Sequence, residues 1–128
     1  MTGEGETFYC AATNPRPMAD PQRGLETEQV VSLRELVGYQ PGTVVSRMLV
    51  FKRTGTITLF AFDEGEGLSE HTAPYDAIVT VLEGTARVTI RDQEFALGEG
   101  ELIIMPANVP HAVYATSRFK MELVMIHE

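Results

Sequence analysis

Short segments in which apolar and polar residues alternate fill most of the chain after residue 42. The clearest is 85–91, where Ala86, Val88 and Ile90 alternate with threonine and arginine. A period of two places the apolar side chains on one face of a strand. Turn residues, such as Asp92-Gln93, separate these segments. The pattern predicts eight or nine strands in an antiparallel sandwich or barrel. The predicted strands include 43–51, 56–62, 77–82, 85–91, 94–97, 102–105, 111–114 and 118–127.

The residues before these strands show little periodicity. Residues 1–24 are rich in glycine and proline, which predicts an N-terminal arm or tail, and residues 25–128 are predicted to form a single all-β domain. Ser32 and Glu35 have the spacing of a capping box. One helical turn is therefore expected near 32–37, before Pro41-Gly42 ends it.

Two stretches combine turn residues with histidine. Residues 65–84 read GEGLSEHTAPYDAIVTVLEG, and residues 100–115 read GELIIMPANVPHAVYA. His71 and His111 each follow a glycine-containing or proline-containing turn, and each is predicted to open a strand. Two imidazoles at matching places make these histidines the candidate site residues.

These stretches resemble the two signature motifs of the cupin superfamily, G-x5-H-x-H-x3-4-E-x6-G and G-x5-P-x-G-x2-H-x3-N. The glycines, the proline and one histidine of each motif match, and Asn108 stands where the second motif has glycine. The resemblance implies a small RmlC-like, single-domain jelly-roll β-barrel. It also implies that His71 and His111 point into the mouth of that barrel.

The resemblance further implies an incomplete metal-ligand set. Metal-binding cupins use two histidines and a glutamate from the first motif and one histidine from the second. Here Ala73 and Ala77 stand at the second histidine and the glutamate, so only His71 and His111 remain as a weak site for a divalent ion such as Zn, Ni, Fe or Mn, or for none. Asp76 is one residue from the glutamate position, and a one-residue shift on a strand turns a side chain to the other face.

Composition narrows the classes of partner and location. The 128 residues suffice for one domain with a core, and the net charge of -8 argues against binding to nucleic acid or to anionic membranes. The longest apolar runs are far shorter than the roughly 20 residues of a membrane helix. The single cysteine, Cys10, forms no internal disulfide, which suits a cytoplasmic protein.

Three functions fit these features. The first is a small-molecule-binding cupin with a depleted metal site, in which the alanines enlarge a pocket lined by apolar residues. The second is a metal-dependent enzyme of the dioxygenase or isomerase kind, which the resemblance allows. The third is a metal-independent isomerase in which His71 and His111 exchange protons as acid and base. Candidates for lining this pocket are Val79, Val81, Val113, Met48 and Met105, although filling the core is the preferred role for each methionine.

The strand at 77–82 is apolar on both faces, which predicts self-association. If Ala77, Val79 and Val81 face the interior, then Ile78 and Leu82 face outward with Thr80 between them. The outer face then needs a cover. Small cupins form dimers through such a sheet face, so the resemblance implies a homodimer with a symmetric interface.

Overall fold

The computed structural model describes residues 24–127, and in this range the chain is almost entirely β-structure. A 3-10 helix at Leu33–Glu35 is the one helical element there. The all-β prediction is confirmed. The ends of the predicted strands agree with the observed ends or differ from them by one residue. The strands are β1 Val44–Lys52, β2 Gly55–Phe62, β3 Gly67–His71, β4 Asp76–Glu83, β5 Ala86–Ile90, β6 Gln93–Leu97, β7 Leu102–Met105, β8 His111–Ala115 and β9 Phe119–Ile126.

Two antiparallel sheets make up the domain. One has five strands in the order β1-β2-β9-β4-β7, and the other has four in the order β3-β8-β5-β6. The chain crosses between the sheets at six of its eight strand connections, and two of these crossings are β3 to β4 and β7 to β8. These crossings bring the end of β3, the start of β4 and the start of β8 to one end of the sheets, which we call the mouth.

The core lies between the two sheets and follows the predicted alternation. Along β4, Ala77, Val79 and Val81 are buried, and along β5 the same holds for Ala86, Val88 and Ile90. The rings of Phe62 and Phe119 stack in this layer with centroids 4.5 Å apart. Burying this apolar surface is the main force that holds the sheets together.

A second apolar cluster covers part of the outer face of the five-stranded sheet. Leu36 and Val37, which follow the 3-10 helix, pack there against Leu49, Leu59 and Ala61. Leu82 packs against the same cluster. The expectation that the outer face of β4 lacks a cover within the chain is therefore wrong at Leu82, because residues 25–39 lie over it.

Polar contacts fasten this covering segment to β4 and β9. The Tyr39 hydroxyl donates to Glu83 Oε2 at 2.6 Å, and the Lys120 ammonium donates to the Arg34 carbonyl while lying 5.1 Å from the centre of the Tyr39 ring. Burial and the neighbouring carboxylate raise the pKa of Tyr39, and burial lowers the pKa of Lys120. Both shifts mean that removing this segment from the sheet would rehydrate groups that are partly desolvated in the fold.

Three local predictions need correction. Ser32 makes no side-chain capping bond, so the capping box does not form, and the helical element is a three-residue 3-10 turn. His71 closes β3 instead of opening a strand. The turn after β5 is Arg91-Asp92, since Gln93 already pairs with Ile90, and Arg91 takes the positive φ of 58° that this tight hairpin requires.

Two further predictions concern the limits of the chain. The N-terminal arm and Cys10 lie outside the described residues, apart from Gly24. Within residues 24–127, no helix is long and apolar enough to cross a membrane.

Candidate functional site

His71 and His111 meet at the mouth because their strands pair. β3 and β8 are antiparallel, and His71 lies directly opposite His111 in the register. Leu68 pairs with Val113, so three residues of β3 span two residues of β8. The extra residue forms a bulge, which brings His71 to the same inward face as His111. Without it Glu70 would take this position.

The two imidazole rings are in contact. Their centroids are 4.5 Å apart and their planes cross at 74°. Each Nδ1 lies near a backbone carbonyl two residues earlier, at 2.7 Å from Ser69 O and at 3.0 Å from Val109 O. Because a carbonyl only accepts, each Nδ1 carries the proton and donates it. In the neutral rings both Nε2 atoms therefore hold a lone pair, and no partner for either lies among the described residues.

Burial controls the charge of His111. The side chain is only 3% exposed, whereas His71 is exposed to solvent. Desolvation lowers the pKa of His111, and the proximity of His71 lowers it further, while the bond to Val109 O acts in the opposite direction. His111 is consequently neutral near pH 7, and its Nε2 is a hydrogen-bond acceptor.

Hydrogen bonds between two loops hold His111 in place. The 106–110 loop enters β8, and its Asn108 has a φ of 63°. Asn108 N donates to Ala73 O at 2.7 Å, and Ala107 N donates to Asp76 Oδ1 at 2.9 Å. The 72–75 loop that follows His71, together with Asp76 at the start of β4, is thus tied to the loop that precedes His111. Asp76, a candidate replacement ligand, has its carboxylate in this loop contact.

Comparison with known proteins identifies the fold family. The model of the cupin domain family matches residues 58–127, which is more than half of the chain. This chain belongs to the cupin family. The expected jelly roll is confirmed by solved structures with the same fold, among them a cupin superfamily protein.

Three solved structures illustrate the similarity of this cupin to its relatives. A conserved protein of unknown function from Streptococcus pyogenes is 35% identical, with 88% of this chain and 98% of that chain covered and a TM-score of 0.78. A cupin superfamily protein from Desulfitobacterium hafniense is 30% identical, with 82% and 96% covered and a TM-score of 0.77. A cupin 2 conserved barrel domain protein from Leptotrichia buccalis is 43% identical over 70% of this chain and 44% of that chain, with a TM-score of 0.68. No curated protein matches the sequence.

The two emptied ligand positions of the cupin motif differ in their surroundings. Ala77 is 2% exposed and faces Met105 and Met125 across its neighbouring strands, whereas Ala73 is half-buried in the mouth loop. Within residues 24–127, no three histidine, cysteine, aspartate or glutamate side chains lie close enough to share a metal ion. Glu70 is exposed. The residues at this mouth therefore do not provide the three or four protein ligands typical of metal sites.

Tyr75, which lies close to His71 in the sequence, contacts another part of the chain. Its ring stacks on His127 with centroids 3.9 Å apart and an angle of 24° between the planes. In the sequence, His127 is only the end of the predicted last strand. The position of Tyr75 four residues after His71 is visible in the sequence, but its pairing with the C-terminal histidine depends on β4 lying beside β9.

Four of the five residues named as candidates for lining a pocket belong to the core, and the fifth, Met48, is half-buried on β1. Val79 and Val81 have no exposed surface, and Met105 and Val113 are 3% and 4% exposed. Open surface concavities of about 450 and 390 Å³ lie beside β5 and β6 and beside the 3-10 helix, and neither is lined by a histidine. Any ligand of the histidines must accordingly bind at the mouth, above the packed core.

Proposed function

We propose that this cupin binds a small organic molecule at the mouth through the Nε2 atoms of His71 and His111. The observation that carries the proposal is the pair of Nδ1 bonds to backbone carbonyls, which leaves two acceptor nitrogens in touching rings. Such a site favours a neutral ligand with an O–H or N–H donor. An anion is disfavoured, since it would face the lone pairs of neutral imidazoles.

The same residues support only weak binding of a metal ion. Two neutral imidazoles leave the charge of a divalent cation uncompensated, and no carboxylate joins them among the described residues. Transferring such an ion from water to a site with two protein ligands is costly. We therefore interpret the mouth as a depleted metal site that serves for binding a small molecule.

A comparison of ligand classes tests the proposal. The probes are neutral alcohols and amides on one side and carboxylates of the same size on the other, followed through the imidazole signals of His71 and His111 by NMR at pH 7.5. We expect saturable shifts with the neutral donors and none with the carboxylates. Shifts with carboxylates alone would contradict the proposal.

Metal analysis separates the proposal from a metal-dependent enzyme of the dioxygenase or isomerase kind. The purified protein should contain much less than one transition metal per chain, and Zn²⁺ should bind no tighter than the micromolar range. One tightly held metal per chain that disappears in His111→Gln would favour the enzyme instead. His127→Gln, which changes a histidine outside the pair, is the matched control.

One observation favours a second function, an acid-base isomerase without metal. His71 lowers the pKa of His111 through its charge, so protonation of one ring opposes protonation of the other. A pair that holds a single proton has one acid and one base, as proton exchange with a substrate requires. Titration of the imidazole ¹⁵N signals should then show that His111 gains its proton only below the pH range of an exposed histidine. Protonation of both rings together would contradict this function.

A further inference from the structure

A third histidine lies at the same end of the molecule as the pair. His127 follows the last residue of β9, and Ile126 is paired with Asp76, the first residue of β4. The 72–75 loop joins this place to His71 at the end of β3. All three histidines of the chain are thus grouped around the mouth.

Extending the alternation of β4 and β9 by one residue places the Tyr75–His127 stack on the inward side of the five-stranded sheet. Tyr75 has the same parity as buried Ala77, and His127 has the same parity as Met125, which packs against the core. Two hydrogen bonds to the turn between β1 and β2 hold His127 in place. Its backbone N donates to Thr54 O at 2.8 Å, and its Nδ1 donates to Arg53 O at 3.3 Å. Both rings keep part of their surface exposed.

The histidine pair lies at the mouth end of the four-stranded sheet, as the Tyr75–His127 stack does on the five-stranded sheet. His111 shares its parity with buried Val113, so the pair points inward from the opposite side. Facing sheets lie about 10 Å apart. The mouth therefore has two aromatic walls, one with two hydrogen-bond acceptors and one with a stacked pair of rings. Between Tyr75 and the core, the next inward residue of β4 is Ala77, whose side chain is a single methyl group.

From these two walls we propose that the Tyr75–His127 stack selects the ligand of the mouth and favours a flat, unsaturated ring with one hydroxyl or N–H donor. This inference rests on the proposed function. The donor binds a histidine Nε2, and the face of the ring contacts the stack, since aromatic rings attract each other in stacked or edge-to-face contacts. A saturated ring with the same hydroxyl makes the first contact without the second.

Phenol and cyclohexanol are suitable probes because they share ring size and hydroxyl group and differ in their π-system. We expect both to shift the imidazole signals of His71 and His111, and phenol to bind about three to ten times more tightly, as the strength of aromatic contacts implies. Phenol should also shift the signals of His127.

The decisive variant is Tyr75→Leu, which keeps an apolar side chain and removes the ring. It should reduce the preference for phenol to less than about twofold, while Tyr114→Leu, on the outer face of the other sheet, should leave it unchanged. If wild type binds both alcohols equally, or if Tyr75→Leu keeps the preference, the inference is wrong although the proposed function stands. If neither alcohol shifts His71 or His111, both fail. The wild-type comparison decides the matter even where a variant does not fold.

Discussion

His111 couples the stability of the domain to pH through a single buried ring. Its folded-state pKa lies below the value of an exposed histidine, because burial and then His71 disfavour the charged form. The unfolded chain therefore binds this proton more readily than the folded one. The free energy of unfolding should be highest above about pH 6.5, fall as the pH drops below that value, and level off below the depressed pKa of the folded state.

The first prediction isolates this effect with His111→Gln. Urea unfolding at pH 7.5 and pH 5.5 should show that wild type loses more free energy of unfolding than the variant between these values, because only wild type has this ring, whose charged form is disfavoured in the fold. Titrating groups outside the histidine pair are common to both proteins and cancel in the difference. An equal loss in both proteins would contradict the assignment of this pH dependence to His111.

The second prediction restores the missing metal ligands with Ala73→His and Ala77→Glu. Ala77 is 2% exposed, so the introduced carboxylate is buried and destabilises the metal-free protein. Zn²⁺ or Ni²⁺ should then bind far more tightly than in wild type and raise the melting temperature well above that of the metal-free variant.

The control for this experiment carries Ala73→His with Ala77→Gln, which supplies a ligand of similar shape without the charge. It should bind the metal more weakly than the glutamate variant. If wild type already binds with sub-micromolar affinity and the double variant gains nothing, the site is not depleted. A ligand such as Glu70, Tyr75 or Asp76 would then have to complete it.

The sequence predicts the histidine pair better than its surroundings. The match to the cupin motifs predicted that His71 and His111 lie close together, and their rings are in contact. The bulge in β3 that aligns them leaves no signal in the hydrophobic pattern, because Ser69 and Glu70 are both exposed polar residues. The Tyr75–His127 stack was missed since it depends on which strands are neighbours, and strand order is not a local property of sequence.

At the scale of the elements, two motif glycines occupy positions that require glycine to different degrees. Gly84 and Gly100 have φ values of 82° and 83°, so both turns use a conformation that other residues adopt only with strain. A Cβ at Gly84 would also overlap the Arg118 carbonyl oxygen, whereas a Cβ at Gly100 meets nothing within 4 Å. Of these two turns, the one after β4 therefore also needs glycine for the close approach of the neighbouring backbone, whereas the one at Gly100 needs it only for the positive φ.

The third prediction uses this difference. Gly100→Ala should lower the free energy of unfolding by about 1 to 2 kcal/mol, the usual cost of the left-handed conformation. Gly84→Ala should lower it by more than about 4 kcal/mol or prevent folding, because the backbone of β9 must also move. Urea unfolding measures both. Equal losses would mean that the contact with Arg118 relaxes freely.

The elements themselves follow from alternation wherever one face of a strand is buried. The predicted 102–105 strand has the observed bounds, and β5 differs from its prediction by one residue at each end. Prediction failed where the signal is carried by polar residues. Ser32 and Glu35 have the spacing of a capping box, but no capping bond forms. Leu36 and Val37, which follow the turn, pack in the outer cluster, so packing determines this turn.

At the scale of the whole molecule, the outer face of the five-stranded sheet is divided into two halves. Residues 25–39 cover the half around Leu49 and Leu59. The other half presents Ile78 in register between Val124 of β9 and Ile104 of β7. Leu102 and Ile104 are 56% and 55% exposed, and Ile126 is 48% exposed. This row of aliphatic side chains is the part of the predicted interface that residues 24–127 leave exposed.

The fourth prediction is that this row forms the symmetric interface of a homodimer, a state that so far follows only from the sequence. The surface is narrower than first predicted, because Leu82 already packs inside the chain, and replacing it by lysine would disturb the fold as well as the interface. Ile104 is better suited for the test, since its side chain is largely exposed and on an edge strand.

Sedimentation velocity at micromolar concentration should find a dimer of two 14.1 kDa chains for wild type and a monomer for Ile104→Lys. A lysine in a symmetric contact appears twice, so two ammonium groups would be desolvated together without a partner, which costs several kcal/mol. Thr89→Lys, on the outer face of the four-stranded sheet, should remain a dimer. A monomeric wild type, or an Ile104→Lys protein that stays dimeric, would show that this row is not the interface. If wild type is a monomer, the side chains of this row remain exposed to solvent, because residues 25–39 do not cover them.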